Sequence, residues 1–540
     1  MTEEKRIFVR KTSGLVRTIG WFSAMVFGVH CISLSSSGLI PYAWVPWLWP
    51  GSDLIAVLTV SMLLCLLHAT TYAQIGSIYP RSGSDYVLGS RLIHPAIQFA
   101  ASFSFVIFTF LTAGSLIAWI PSSVLPSFYW SWGVIFNDPG ALAVAEWVKT
   151  PEGVFLIGLL FVFITWLTTI LPTKHVVNIL NAGFFLGTIA WILIYIALLA
   201  CPGPDAFART WDKFMGAGNF EKVIPTAEAN GLEWSTAPWW LMALAGTIMG
   251  FWIYYGYYIP SFFAGELKEA PKTLIISGWG SLIYTWLIFT LGAALMYPRL
   301  FSLKWLAAEG YIFYNCPDAL PSLPFSTFFG SILWYDYVSK ETAPLAIGFI
   351  AFAWIYTLIN LAQTYFFYGS RILFAMAFDR ALPNWIAYVH SKLRSPIVSV
   401  TLAAIGAAIG VYLSVYTVIF VQFNFVLYAC VVQLLPVTAA ILYPFVRKEE
   451  FERAPSIVRF KIGPIPGITL IGIGTLLYLL WMIISQYLFP AVGGAIGLHT
   501  VAWFASFFVG GLIIFYVMRW YRLKTEGIDI LWAYKEIPPI

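Results

Sequence analysis

The chain has 540 residues, of which 60% are hydrophobic and only 10% charged, with a formal net charge of +5. Soluble domains carry roughly 25% charged residues, so a chain this apolar must take lipid as its solvent. A closed β-barrel is excluded too, because the apolar stretches are continuous instead of alternating over about ten residues.

Apolar runs near the ~20 residues that a spanning helix requires recur twelve times and predict an all-α integral membrane protein. Residues 1–16 are polar and predict a tail with no cleavable signal peptide, span 1 itself being the anchor. Span 1 covers 17–47 and is interrupted by "SLSSSGLIPY" (33–42), whose serines, glycine and proline make poor helix and poor hydrocarbon filler. Spans 2 to 5 are placed at 53–78, 95–120, 153–171 and 176–200. Span 6, at 239–264, is interrupted in its middle by Gly256 and Pro260, flanked by Tyr254, Tyr255, Tyr257 and Tyr258. Spans 7 to 12 follow at 274–297, 343–377, 396–415, 417–443, 467–489 and 498–519, with a tail at 520–540. Three long loops, 121–152, 201–238 and 298–342, are rich in Trp and Pro ("WSWGVIFNDPG") and predict an ordered cap.

With both termini on the cytoplasmic side, only seven of the 30 Lys and Arg fall outside: Lys149, Arg209, Lys213, Lys222, Arg299, Lys304 and Lys340. That asymmetry predicts a multi-pass protein of the cell membrane with cytoplasmic termini. It also assigns the net charge to topology and anionic inner-leaflet lipid, not to nucleic acid. Of five cysteines, Cys201 and Cys316 both fall in outer loops and are a candidate pair. There is no Walker A loop and no H-E-x-x-H zinc site, so no ATP motor, metal or cofactor is expected. His30 in span 1 and His68 in span 2 are the ionisable groups at mid-membrane depth and are candidate ion-coupling residues.

Two interrupted helices five spans apart point to a five-plus-five inverted repeat, 17–200 and 239–443, with two extra C-terminal helices at 444–519. In that design the breaks meet at the midplane and build a substrate site.

Three motifs carry a family resemblance. "YAQIGSIYPRSGSDYVLGSRL" (72–92) resembles the junction after span 2 of the amino acid–polyamine–organocation (APC) transporters. "FFAGELKEAPKT" (262–273) is similar to their span 6 exit, and "SRILFAMAFDRALPNWIAYVHSKLRSPIVSV" (370–400) to their span 8 exit. The resemblance implies that Ser36, Ser37 and Gly38 stand where backbone N–H groups hold a substrate carboxylate, with the Ser35 hydroxyl beside them. Free carbonyls near Ile253 to Tyr255, next to Gly256, would face an ammonium group. Trp252 falls where relatives place an aromatic lid, and Tyr365 where a second pocket residue sits. The chain departs from the family at Ser36, which replaces a glycine, and at Tyr258, which replaces a carboxylate of several relatives. Ala270 is an extra residue before Pro271. Span 5 has no lysine; Gly187 or Thr188 occupies that depth. Proton coupling then falls to His30 or His68, toward which the sequence leans, and sodium coupling to a site near Thr357. Glu266 and Lys268, with Asp379, Arg380 and Arg394, are candidate gating ion pairs.

The reading is a secondary transporter, not an enzyme, that moves an amino acid or related amine across the bilayer by alternating access. A polyamine, other organocation or nucleobase carrier of the same fold is the alternative. A channel lacks its continuous polar stripe, and a membrane enzyme lacks a catalytic cluster. The oligomeric state is not legible.

Overall fold

The computed structural model describes residues 15–297, 299–322, 327–419, 424–489 and 497–535. Helices make up nearly all of it; the strands among the described residues are a short antiparallel pair, Lys461–Ile462 with Ile465–Pro466. Among the described residues, ten helices are long and apolar enough to cross a membrane. They are Leu54–Ile78, Pro95–Phe136, Pro151–Thr169, Thr173–Ala200, Ala270–Met296, Ala343–Phe378, Ile397–Tyr416, Phe425–Val446, Gly467–Leu488 and Leu498–Glu526. They are spans 2 to 5 and 7 to 12. Spans 1 and 6 begin as the shorter apolar helices Trp21–Ile32 and Trp239–Tyr254.

Local chemistry explains why those two stop. Ser33 turns into a positive φ of 73° while its N–H bonds back to the Val29 carbonyl at 2.8 Å. The chain restarts as Ser36–Leu48, with the Ser36 N–H donating to Ser33 Oγ at 3.2 Å. In span 6 the helix ends at Tyr254 and Gly256 takes a φ of 131°, a conformation closed to most L side chains. Pro260 does not make this break. It sits in the first turn of a short 3-10 helix, Ile259–Phe262, where its missing N–H costs nothing. The helix expected over 239–264 therefore stops at Tyr254, and span 7 starts at Ala270 instead of 274. Span 3 continues through a π-turn, Ile120–Val124, into Leu125–Phe136, so the first long loop starts as helix. Part of the expected span 10, residues 420–423, lies outside the described residues; its helix begins at Phe425.

The helix contacts pair off as an exchange of spans 1–5 with 6–10 demands. Span 1 packs on span 7 as span 6 packs on span 2; span 3 on span 9 as span 8 on span 4; span 8 on span 5 as span 3 on span 10. Span 12 packs against span 3, outside that set.

On the face opposite the termini, the loops fold into helices such as Pro204–Met215, Asn219–Ala229 and Leu303–Asn315. Phe207, Trp211, Phe301 and Trp305 form their aromatic core, with Trp211 and Trp305 edge-on at 4.8 Å. Cys201 and Cys316 lie in this cap as free thiols, so the candidate pair is not formed. Cys201 is held instead by its own turn, Sγ donating to the Gly203 carbonyl at 3.7 Å.

Candidate functional site

The two breaks touch backbone to backbone. A Cβ on Gly256 would stand 2.6 Å from the Cys31 carbonyl carbon and 2.8 Å from the Ile32 nitrogen. Only glycine permits that approach, and it brings the ends of the half-helices Trp21–Ile32 and Trp239–Tyr254 together just before span 1 restarts at Ser36. The helix Trp239–Tyr254 turns its terminal carbonyls, and the helix Ser36–Leu48 its first N–H groups, toward one region. Their end charges are opposite, negative and positive.

A small cavity of ≈ 20 Å³ lies between them. Ser36, Ser37, Trp252, Tyr255 and Tyr365 all line it, so five residues singled out from sequence converge. Cys31 and Ile32 add the end of the first half-helix; Thr112 and Leu116 come from span 3, Leu361 from span 8 and Phe425 from span 10. These six were not singled out, because pocket residues on intact helices carry no motif. Leu361 was within reach, one turn before Tyr365 on the same helical face. Tyr255, Tyr365 and Phe425 pack ring on ring at 5.1 to 6.3 Å.

The other expected residues sit around this pocket. Ile253 is fully buried, and neither it nor Gly256 appears in the wall. Gly38 turns its Cα away, since a Cβ there would meet Trp191 at 2.5 Å and Phe289 at 3.1 Å. Its lack of a side chain serves packing on spans 5 and 7. Ser35 lines a second, larger cavity of ≈ 250 Å³ that shares Ser36 with the first and runs toward the cap. Trp44, Trp119 and Trp354 wall it; Ser123, Ser127 and Ser131 line it at helical spacing, and Tyr314 and Ser331 reach in from the cap. Trp252 and Trp119 lie at the junction with ring centroids 6.1 Å apart.

The ion-coupling candidates are spread out. His30 Nε2 lies 2.6 Å from the Leu180 carbonyl, against span 5. His68 Nδ1 lies 2.6 Å from the Tyr257 hydroxyl, which ties span 2 to the span 6 break. Thr357 Oγ1 lies 2.9 Å from Ser35 Oγ, which is 3.2 Å from Ser33 Oγ, a run of oxygens along the span 1 break. Gly187 packs under the same break, against Leu34 and Thr357, while Thr188 is turned to the Tyr284 hydroxyl. Among the described residues no cluster of His, Cys, Asp or Glu suits a metal ion.

The face carrying the termini is sealed. Glu266 at the span 6 exit accepts from Arg371 of span 8 at 2.9 and 3.4 Å and from Thr173 at 3.2 Å, with both charged side chains 1% exposed. Its carbonyl also takes the Thr18 and Ile19 N–H groups at 3.0 and 3.1 Å. Arg91 grips Asp379 with two bonds at 2.7 and 3.0 Å. Arg380 pairs with Glu526 at 2.8 Å. Lys268 and Arg394 make no ion pair among the described residues; Glu266 and Asp379 pair instead with Arg371 and Arg91. Both were visible in the quoted motifs, but their partners are set by tertiary packing.

No curated protein matches the chain. A family model described as amino acid permease does match, over residues 19–518, nearly the whole length. A multi-pass helical membrane protein with a cavity where two broken helices meet, the chain belongs to the amino acid permease family and is a transporter of the amino acid type.

Proposed function

We propose that the protein is a secondary transporter that moves an amino acid by alternating access around the pocket between the two breaks. The substrate carboxylate lies on the first N–H groups of Ser36–Leu48, where donors and a positive helix end favour an anion. The ammonium group lies against the carbonyls that end Trp239–Tyr254. Trp252, beside Trp119, is the lid between pocket and outer cavity. The face with the termini is cytoplasmic, as the distribution of Lys and Arg supports. One observation carries this reading: Ser36, Ser37, Trp252, Tyr255 and Tyr365 line one cavity where half-helix ends of opposite polarity meet.

Two measurements in proteoliposomes test it. Ser37→Pro removes one donor, and proline is tolerated in a first helical turn, so the folded variant should lose uptake and counterflow. The methyl ester of a transported amino acid should bind roughly ten- to hundredfold more weakly than the free acid, for the loss of a charge-assisted bond worth about 1.5–3 kcal/mol. Normal counterflow by Ser37→Pro, or equal binding of ester and acid, would place the site elsewhere. Flux that neither saturates nor shows counterflow would mean a channel.

A further inference from the structure

The chemistry of the pocket's walls, not its volume of ≈ 20 Å³, selects the side chain, since a whole amino acid requires the pocket to open around it. The backbone groups of a zwitterion are met by the two helix ends, which leaves the side chain to the far wall: Thr112 and Leu116 of span 3, Leu361 and Tyr365 of span 8, and Phe425 of span 10. No Lys, Arg, His, Asp or Glu lines this pocket or the outer cavity that leads to it, among the described residues. The internal stretches outside the described residues also lack charged residues in sequence. A charged side chain entering here would leave water and gain no counter-ion, which costs several kcal/mol. An aliphatic or aromatic side chain would gain the contact of five walls. Tyr255, Tyr365 and Phe425 meet in tilted and edge-on contacts at 5.1 to 6.3 Å, an apolar surface suited to an aliphatic or aromatic side chain.

We infer that the substrate is an α-amino acid with an uncharged, mainly apolar side chain, and that this side chain points at Thr112 and Leu116. The inference rests on the proposed site between the breaks. Its test is counterflow in proteoliposomes loaded with leucine, phenylalanine, lysine, glutamate or putrescine. Leucine or phenylalanine should support exchange, and lysine, glutamate and putrescine should compete at least about a hundredfold more weakly. Thr112→Asp should raise competition by lysine at least about tenfold, because it supplies the missing counter-ion. Lysine, glutamate or putrescine preferred by the unaltered protein would overturn the substrate class while methyl-ester sensitivity still upheld the site. Thr112→Asp that still exchanges leucine yet gains nothing for lysine would overturn the side-chain direction. Loss of ester discrimination would instead bring down the site itself.

A second observation stands apart from the pocket and from the matched family region, which ends at 518. Span 12 ends at Glu526; Gly527, with a φ of 68°, turns the chain back under the bundle, and Ile530–Lys535 forms a 3-10 turn there. Arg519 fixes the turn through two bonds to Asp529 at 2.9 and 2.7 Å. Ile530, Ala533 and Tyr534 are buried. The Tyr534 hydroxyl lies 2.8 Å from that of Tyr86, on the helix Ser84–Leu92, and its ring lies 5.0 Å from the Arg91 guanidinium that grips Asp379. The tail thus covers the ion pair joining the span 2 exit to the span 8 exit.

The geometry points to the segment 527–535 as a latch that stabilises closure of this face. The test is amide hydrogen exchange of the purified protein, comparing the full chain with a deletion of 528–540 and with Tyr534→Ala, a milder change. Either variant should exchange about tenfold faster in Ser84–Leu92 and also around Glu266, across the gate and away from the tail. Faster exchange confined to Ser84–Leu92 would make the tail a local brace and overturn the latch. Unchanged exchange in Tyr534→Ala would overturn it too, whether or not the deletion folds.

Discussion

Replacing Glu266 by Gln keeps shape and most hydrogen-bonding capacity but removes the only charge described above as facing Arg371. That guanidinium is 1% exposed, lies 3.4 Å from the Phe367 ring centroid, and is bound to Glu266 through Nε at 2.9 Å. Removing one partner of a buried pair leaves an uncompensated charge and costs about 3–5 kcal/mol; the surviving amide contacts place Glu266→Gln near about 3. Arg371→Met strands the carboxylate and should cost a similar amount. The double variant Glu266→Gln/Arg371→Met has no buried charge left and should recover most of the loss. Thermal denaturation of the four purified proteins, in one detergent at one pH and salt, gives the coupling energy. A value above about 2 kcal/mol is expected for groups in direct contact. A double variant that falls at the sum of the two singles, within about 0.5 kcal/mol, would refute the pair as a buried unit.

Other consequences can be measured independently. Gly256→Ala places a Cβ against the Cys31 and Ile32 backbone at a φ of 131°; overpacking and backbone strain together should cost about 2–5 kcal/mol, read as a lower melting temperature together with lost ligand binding. Asp85, buried at the start of the helix after span 2, has its carboxyl pushed up by burial from 3.8 to about 7. The folded protein then holds this proton more tightly than the unfolded chain, so its contribution is complete below about pH 4 and is lost as pH rises through 7. Asp85→Asn should match the parent at pH 4 to 5 and exceed it in melting temperature at pH 8; parallel pH profiles would remove Asp85 from the account. Beside the proton route through His30 or His68, we propose sodium as the coupled ion, held near the Thr357, Ser35 and Ser33 oxygens along the span 1 break. Accumulation should follow an imposed sodium gradient and vanish in Thr357→Val, and accumulation under a pH gradient alone would return the role to His68.

The breaks were legible because a helix in lipid must satisfy its own backbone: Ser, Gly and Pro runs within an apolar stretch are costly there and stand out. Their fine structure was less so. Pro260 looked like the interruption, yet a proline is compatible with the first turn of the following 3-10 helix, and Gly256 alone has the left-handed φ that ends the helix. Gly38 was legible as part of the break, but its need to lack a side chain for packing was not: the Trp191 indole, which bonds the Leu34 carbonyl 157 residues away, would meet any Cβ there. Thr112, Leu116 and Phe425 were invisible for the opposite reason. An apolar residue on an intact helix reads the same whether it faces lipid, a neighbour or a ligand.

The sealed face explains why its charges are buried in pairs instead of being replaced by apolar contacts. Glu266 with Arg371 and Arg91 with Asp379 join the exits of spans 6 and 2 to that of span 8. Under the proposed alternating access, a substrate leaves by this face only when those exits part. An apolar seal would then expose greasy surface to water, at a cost that grows with its area. An ion pair behaves differently: the interaction lost on opening is returned as hydration of two charges, so the intact pair is worth little net even though removing one partner is severe. Such a contact is specific when closed and inexpensive to part. That is what alternating access asks of a gate, and it places the larger, permanent packing energy elsewhere, in the aromatic cap and in the crossings of spans 3 with 9 and 2 with 7.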